Sequence, residues 1–223
     1  MEAVVEELPV ILQAFGLTVR LAALSALISL VWGTVLATMR VSPLPVLRWA
    51  GALYVNVLRN TPLTLVIVFC GLGLGTVMDV RFSADDLSVN SFWLSTLGLS
   101  AYTAAFVCEV IRSGINTVPL GQAEAARSLG LTFPQTLRLV ILPQAMRAVV
   151  APLGTLLNAL IKNTTVAAAI GVAEAALRMK NLFDAHGDAV IPLFLGFAAG
   201  FVILTLPLNL AFGWLAGRLA VVR

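Results

Sequence analysis

The sequence predicts an all-α membrane protein, one domain over residues 1–223 with about five transmembrane helices. Two observations carry this. Hydrophobic residues make up 60% of the chain and charged residues only 11%, where a soluble domain has roughly 25% charged. The charges also fall between apolar runs long enough to cross a hydrocarbon core about 30 Å thick.

The spans follow in order. No charge stands between Arg20 and Arg40, so LAALSALISLVWGTVLATM is the first. RVSPLPVLR then reads as a short loop. A second apolar segment runs from near Trp49 to about Met78, interrupted by Arg59, and DVRFSADDLSVNS after it is polar and acidic. The third span runs from about Phe92 to Val110 and stops at Arg112. A fourth extends from about Ala148 to Ala173, interrupted by Lys162. EAALRMKNLFDAHGD is polar or amphipathic. The last span, from Ala189 to about Gly217, carries no charge.

Five spans put the termini on opposite sides, and the excess of Lys and Arg on cytoplasmic loops sets the orientation. With the N-terminus outside, the inner loops hold Arg40, Arg48, Arg112, Arg127, Arg138, Arg147, Arg218 and Arg223. The outer loops hold Arg81, Arg178 and Lys180. The net charge of +3 is spread between apolar runs with no basic patch, so no nucleic-acid partner is expected. MEAVVEELPV is acidic and lacks the basic start of a cleavable signal peptide. Gly16, Gly33, Gly51, Gly98, Gly196 and Gly200 can let spans pack closely. Cys70 and Cys108 lie in apolar runs and read as buried packing residues. His186 has no companion ligands and reads as a loop residue. No metal site and no catalytic set is expected.

Between the third and fourth spans lies SGINTVPLGQAEAARSLGLTFPQTLRLVILP. Its part from about 117 to 143 is too polar to span and too patterned for a loose loop. Pro119 suits the first turn of a helix, and Gly130 suits its C-terminal stop. Thr132 can cap a second helix, with Pro134 in its first turn, and Pro143 stops or kinks it. Two short helices joined at a Gly turn result. Ala125 and Ala126 give the first a small-residue face, with the charge of Glu124 beside it. One reading is an amphipathic hairpin lying on lipid headgroups.

A second reading comes from resemblance. Glu124-Ala125-Ala126, Gly130 and Val140-Ile141-Leu142-Pro143 resemble the EAA motif of bacterial ABC-importer permeases: EAA, three residues, Gly, nine residues, then I-x-L-P. Val140 stands where Ile is usual. Pro119, Gly121 and Gln122 are similar to the polar-amino-acid branch of that family. So are LPQAMR, RNTPL, EVIRSGI and KNTT. The likeness covers most of the chain, from the first span to Glu174. Phe106, Asn56 and Asn60 depart from the usual Tyr, acidic residue and Gly. The combination looks closest to glutamate-uptake permeases.

The resemblance implies a type I ABC importer permease fold in a bacterial cytoplasmic membrane. It makes the 117–143 segment a coupling helix hairpin that docks on a cytoplasmic ATPase subunit through Gly121, Gln122, Glu124, Ala125, Ala126 and Gly130. No G-x-x-x-x-G-K-[ST] loop occurs in this sequence. No cofactor is therefore expected in this chain; ATP and Mg would sit on the ATPase. The other implied partners are a second permease subunit (a paralogue rather than a copy), an extracytoplasmic substrate-binding protein, membrane lipid and an amino acid substrate.

The in-span cations bear on the cargo. A Lys or Arg at the bilayer centre costs about 2.5–3.5 kcal/mol on insertion scales, so it normally faces a polar cavity. In straight spans Arg59 would lie roughly 15 Å deep and Lys162 roughly 21 Å deep. Each is followed by Asn-Thr: Arg59-Asn60-Thr61 and Lys162-Asn163-Thr164. No Asp or Glu stands inside either span. These six residues are candidates for a pathway that receives a carboxylate. The plainer readings are snorkelling to the cytoplasmic interface or an ion pair with a partner subunit for Arg59, a structural pair or carbonyl contact for Lys162 and interhelical hydrogen bonds for the Asn and Thr side chains. Glu109 and Arg112, three apart on one face, are expected to pair. Two other classes compete. An ion-coupled transporter should show internal repeats and ionisable relays. A membrane enzyme needs a nucleophile–base set or metal ligands. Neither is evident.

Overall fold

The computed structural model describes residues 2–219. The helices are α1 (Glu2–Glu6), α2 (Leu8–Val41), α3 (Pro45–Arg59), α4 (Leu63–Val68), α5 (Leu87–Asn116), α6 (Leu120–Ser128), α7 (Phe133–Thr136), α8 (Leu142–Asn163), α9 (Ala175–Ala185) and α10 (Val190–Leu219). Wide π-helical turns extend α4 over Phe69–Val77 and join α7 to α8 over Leu137–Ile141. A tight 3₁₀ stretch, Thr164–Ile170, follows α8.

Four helical runs are long and apolar enough to cross a membrane: Leu8–Val41, Leu87–Asn116, Phe133–Ile170 and Val190–Leu219. The fifth pass belongs to a bent pair, in which Leu63–Val77 runs along the bundle and Pro45–Arg59 turns away from it by 103°. The apolar segment expected from near Trp49 to about Met78, interrupted at Arg59, is thus divided into two helices at that interruption. Pro62 supplies no backbone N–H and so cannot continue the helix. The carbonyls freed at the break are met locally. The Asn60 amide donates to the Asn56 carbonyl at 2.7 Å, and the Thr61 hydroxyl donates to the Val57 carbonyl at 2.8 Å. In lipid such groups must find partners inside the protein.

Contacts fix the directions. Gly33 of α2 packs against Val107 and Ala104 of α5, and Arg40 reaches Glu109 further along, so α2 and α5 run parallel. Phe15 of α2 meets Phe197 and Gly200 of α10, while Ile11 joins Leu193 in one cluster; α10 runs the same way. Ile67 sits beside Gly98, and Gly75 beside Leu94, so α4 and its extension run opposite to α5. Gly114 of α5 is covered by Val149 and Ala145 of α8, whereas Leu99 and Leu160 share a cluster one membrane level away; α8 also runs opposite. The ends of α2, α5 and α10 therefore gather with α6 at one end of the bundle, the hairpin end. The window in Leu87–Asn116 is 61% buried, against 17% for Phe133–Ile170 and 11% for Val190–Leu219. Helix α5 is thus the centre, and α8 and α10 form a wall open to other molecules.

Helix α2 begins at Leu8 rather than near Arg20, because Ile11 and Phe15 bury against α10 beyond the apolar run. Cys70 and Cys108 are buried, unlinked packing residues. His186 is not partnerless: its Nε2 lies 3.0 Å from Glu7 Oε1 and ties the end of α9 to the start of α2. Arg223 lies outside the described residues.

At the opposite end, Glu174 caps α9. Its Oε1 accepts from the Ala176 and Leu177 backbone N–H groups at 2.9 and 3.1 Å, and the Thr18 hydroxyl oxygen accepts from Ala175 N at 3.1 Å. The Glu174 side chain is fully buried, and Oε2 has no partner among the described residues. Burial pushes its carboxyl above the ordinary value, against the opposing pull of the two N–H groups. A carboxyl raised in the folded state favours folding most below its unfolded pKa, about 4.3. That contribution is lost as pH rises through the folded value. Glu174→Gln, which keeps the accepting oxygen without the charge, should therefore melt higher than the natural protein at pH 8. The gap should shrink as pH falls towards 4 in thermal unfolding of the detergent-solubilised chain.

Candidate functional site

The hairpin is built on one glycine. Helix α6 ends at Ser128, and Gly130 takes a left-handed φ of +82° that other residues adopt only with strain. Its N–H bonds the Arg127 carbonyl at 2.9 Å and the Leu131 N–H bonds the Ala126 carbonyl at 3.2 Å, which closes a Schellman turn. Pro119 stands one place before the first turn, as the N-cap. Beyond the turn, Gln135 Oε1 accepts from the Thr132 backbone N–H and hydroxyl, each at 2.9 Å, and starts α7. The second short helix does not stop at Pro143. It merges through the π turn into α8, whose first turn holds the proline; the widened turn takes up its ring and missing N–H.

Helix α6 presents Gly121, Gln122, Glu124 and Ala125 to the outside, with Leu120 and Leu129 at its ends. Ala126 is turned inward and only 4% exposed, so the small-residue face that pairs it with Ala125 is corrected. Ala126 packs the hairpin; Ala125 is left for approach from outside. Gln122 also braces the hairpin: the Gln144 side-chain amide donates to Gln122 Oε1 and to the Val140 carbonyl.

About two turns before the end of α5, at the hairpin end of the bundle, lies a charge cluster that links three helices. Arg40 of α2 pairs with Glu109 Oε1. Arg59 of α3 and Arg112 of α5 approach Glu109 Oε2 at 3.4 and 3.5 Å. Arg59 also stands 6.0 Å from the centre of the Phe106 ring. The expected Glu109–Arg112 pair is present, but shared. Arg59 is carried to the hairpin end by the break at Asn60–Pro62, and the carboxylate it meets is in this chain rather than in a partner subunit. Asn60 and Thr61 spend their side chains on the C-terminal end of α3.

Lys162 differs from Arg59. It lies thirteen residues (162 − 149) past Val149, the residue on Gly114, so roughly 20 Å from the hairpin end. Its side chain is exposed, and no carboxylate among the described residues pairs with it. The next residues tighten into the 3₁₀ stretch. The Thr164 and Thr165 hydroxyls donate to the Ile161 and Lys162 carbonyls at 2.7 Å each, and Thr164 is buried. Asn163 is half-buried beside them. One turn before Lys162, buried Asn158 keeps an unpartnered Oδ1. The structure does not bring Arg59 and Lys162 together on one site. Sequence reading missed Asn158, for which an in-span amide one turn from a lysine was the available signal.

Residues 9–221 match the model of the binding-protein-dependent transport system inner membrane component family. The chain belongs to this family. It is also 51% identical over 217 residues to the glutamate transport system permease protein GluC of Corynebacterium glutamicum, covering 96% of this chain and 95% of that one. The Corynebacterium efficiens protein of the same description gives the same identity and coverage. A crystal structure of an amino acid ABC transporter with histidines superposes with a TM-score of 0.86 at 26% identity, covering 96% of each chain. As a member of this family the chain is a multi-pass inner-membrane component of a transport system.

The shared carboxylate gives a test within this inner membrane component. Glu109→Gln leaves three guanidinium groups without their common partner and should cost about 1–2 kcal/mol, between an exposed and a buried pair because the cluster is half open to solvent. Arg112→Gln removes one half-exposed partner and should cost under about 1 kcal/mol. Thermal stability in detergent checks the ranking.

Proposed function

We propose that this chain is the permease subunit of an ATP-driven importer that carries a polar amino acid, glutamate in the first instance, by alternating access. The observation that carries the reading is the hairpin. A short rigid helix, with Glu124 and Ala125 outermost, hangs between α5 and α8 at the end of the bundle. The 51% identity to a glutamate permease supports the cargo.

In this reading the N-terminus is outside and the hairpin end is cytoplasmic, where Arg40, Arg48, Arg59, Arg112, Arg127, Arg138, Arg147 and Arg218 gather. A separate ATPase subunit binds ATP and Mg and receives α6 through Gly121, Gln122, Glu124 and Ala125. Gly130 sets the angle of that knob and Ala126 seats it on the bundle. A second permease chain, a paralogue, covers the open wall of α8 and α10. A substrate-binding protein delivers cargo at the opposite end. Substrate is admitted there, the ATPases close, and movement of α6 tilts α5 and α8 so that the pathway opens inward.

Lys162, with Asn163, Thr164 and Asn158 close by, supplies the positive charge for a carboxylate in that pathway. An exposed lysine at this depth is costly against lipid, so a polar passage shared with the second chain is its fitting surrounding. Arg59, Asn60 and Thr61 serve the break and the charge cluster instead.

Two variants test this. Glu124→Arg should assemble in the membrane yet cut uptake of labelled glutamate at least tenfold and lose ATPase pull-down; normal values for both would refute the docking role. Lys162→Gln should raise the KM for acidic amino acids about tenfold with insertion intact, and an unchanged KM would remove the lysine from the pathway.

A further inference from the structure

Helix α3 turns 103° from the pass that follows it, so it lies near the membrane plane at the hairpin end. Val46, Trp49, Leu53 and Val57 form one stripe along it and are 76, 68, 49 and 51% exposed. Gly51 and Val55, on the other side, are buried against α2 and α5. An in-plane helix with one outward apolar stripe and basic residues at Arg48 and Arg59 is an interfacial helix, seated where acyl chains meet headgroups.

The Glu109 cluster stands at its C-terminal end. Three guanidinium groups meet one carboxylate, a formal excess of two positive charges (3 − 1). Arg40 is tucked in at 13% exposure, but Arg59 and Arg112 keep 44 and 40% of their side chains open. Both oxygens of Glu109 are already engaged. The open N–H groups of Arg59 and Arg112 thus face outward with no anion among the described residues to meet them. Guanidinium forks of this kind suit phosphate oxygens.

A second observation lies on the same three helices. An open groove of about 600 Å³, with almost no polar wall, runs between α2 and α5 and is floored by α3. Leu27, Val31, Trp32, Tyr54, Leu97 and Ala101 line it. Trp32 and Tyr54 meet edge to face at 6.4 Å, and the Tyr54 hydroxyl donates to the Ala101 carbonyl at 2.9 Å, which fixes the floor. Ala101 and Glu109 are eight residues apart (109 − 101) on α5, roughly 12 Å along the helix. That is within the depth of one leaflet, about 15 Å.

We propose that α2, α3 and α5 form a site for one anionic phospholipid. Its phosphate sits on Arg59 and Arg112, and one acyl chain lies in the groove against Trp32 and Tyr54. The two excess charges call for an anion, and the dry groove beside them calls for a chain; an anionic lipid supplies both. The bound lipid joins the interfacial helix to the two parallel spans just above α6. The site depends on the membrane setting of the chain and not on which substrate it carries.

The full chain in neutral detergent micelles, titrated by native mass spectrometry, gives the test. Phosphatidylglycerol should bind one site at least tenfold more tightly than phosphatidylcholine with matched chains. The double variant Arg59→Gln, Arg112→Gln should lose that preference and keep the weak binding of phosphatidylcholine. Arg48→Gln, off the cluster, should retain the preference. Leu97→Trp, which fills the groove, should weaken both lipids. Millimolar inorganic phosphate should not displace phosphatidylglycerol. Equal affinity for the two lipids in the natural chain, retention of the preference in the double variant, or displacement by phosphate alone would each overturn the proposal. The first of these needs no variant to fold.

Discussion

Glu109 is the joint of this molecule. One carboxylate at the hairpin end of the central helix draws guanidinium groups from α2, α3 and its own α5. The two parallel spans are held in register there, and the broken pass is pinned where it turns. The break itself is possible only because Asn60 and Thr61 return their side chains to the carbonyls it frees. The cluster adds a charged anchor at the C-terminal end of α3 to the packing of Gly51 and Val55 and the Tyr54–Ala101 hydrogen bond. With it, the bend is a built feature and α3 a fixed strut.

From this joint the chain runs straight into the hairpin. Helix α5 continues past Arg112 to Asn116, and α6 begins at Leu120. The hairpin then returns into α8 without a hinge residue, since the π turn and Pro143 keep the run helical. The Gly130 turn and the Gln122–Gln144 bond make the knob stiff. A push on α6 is therefore delivered to α5 and α8 together. Lys162, with its exposed cation, lies on the helix that would be moved. In the proposed reading the drive and the cargo would meet along α8.

Much of this was legible in the sequence. Uncharged runs give the first, third and last spans, because lipid tolerates little else. The positions of Gly130, Thr132 and Pro119 give the hairpin, because few residues can end or start a helix in those ways. Other features were hidden. Arg59 reads as a cation deep in a straight span when hydropathy alone is followed, and only the angle at Pro62 moves it. Its carboxylate comes from another helix, and Arg40 and Glu109 are 69 residues apart, with no local pattern to join them. Ala125 and Ala126 look alike in the sequence, yet neighbouring helix positions point in different directions, and one of them is core. Glu174 looks like a surface acid until Thr18 and the start of α9 close around it.

The central claim is that this chain turns ATP hydrolysis by a separate subunit into amino acid import, with glutamate as cargo. Co-assembly with candidate ATPase and second permease subunits in liposomes tests it directly, with ATP hydrolysis as the readout. Glutamate-loaded binding protein should raise hydrolysis several-fold over the unloaded protein, and only in assemblies that contain this chain. Equal hydrolysis with loaded and unloaded binding protein, or glutamate uptake by this chain without any ATPase, would contradict the account.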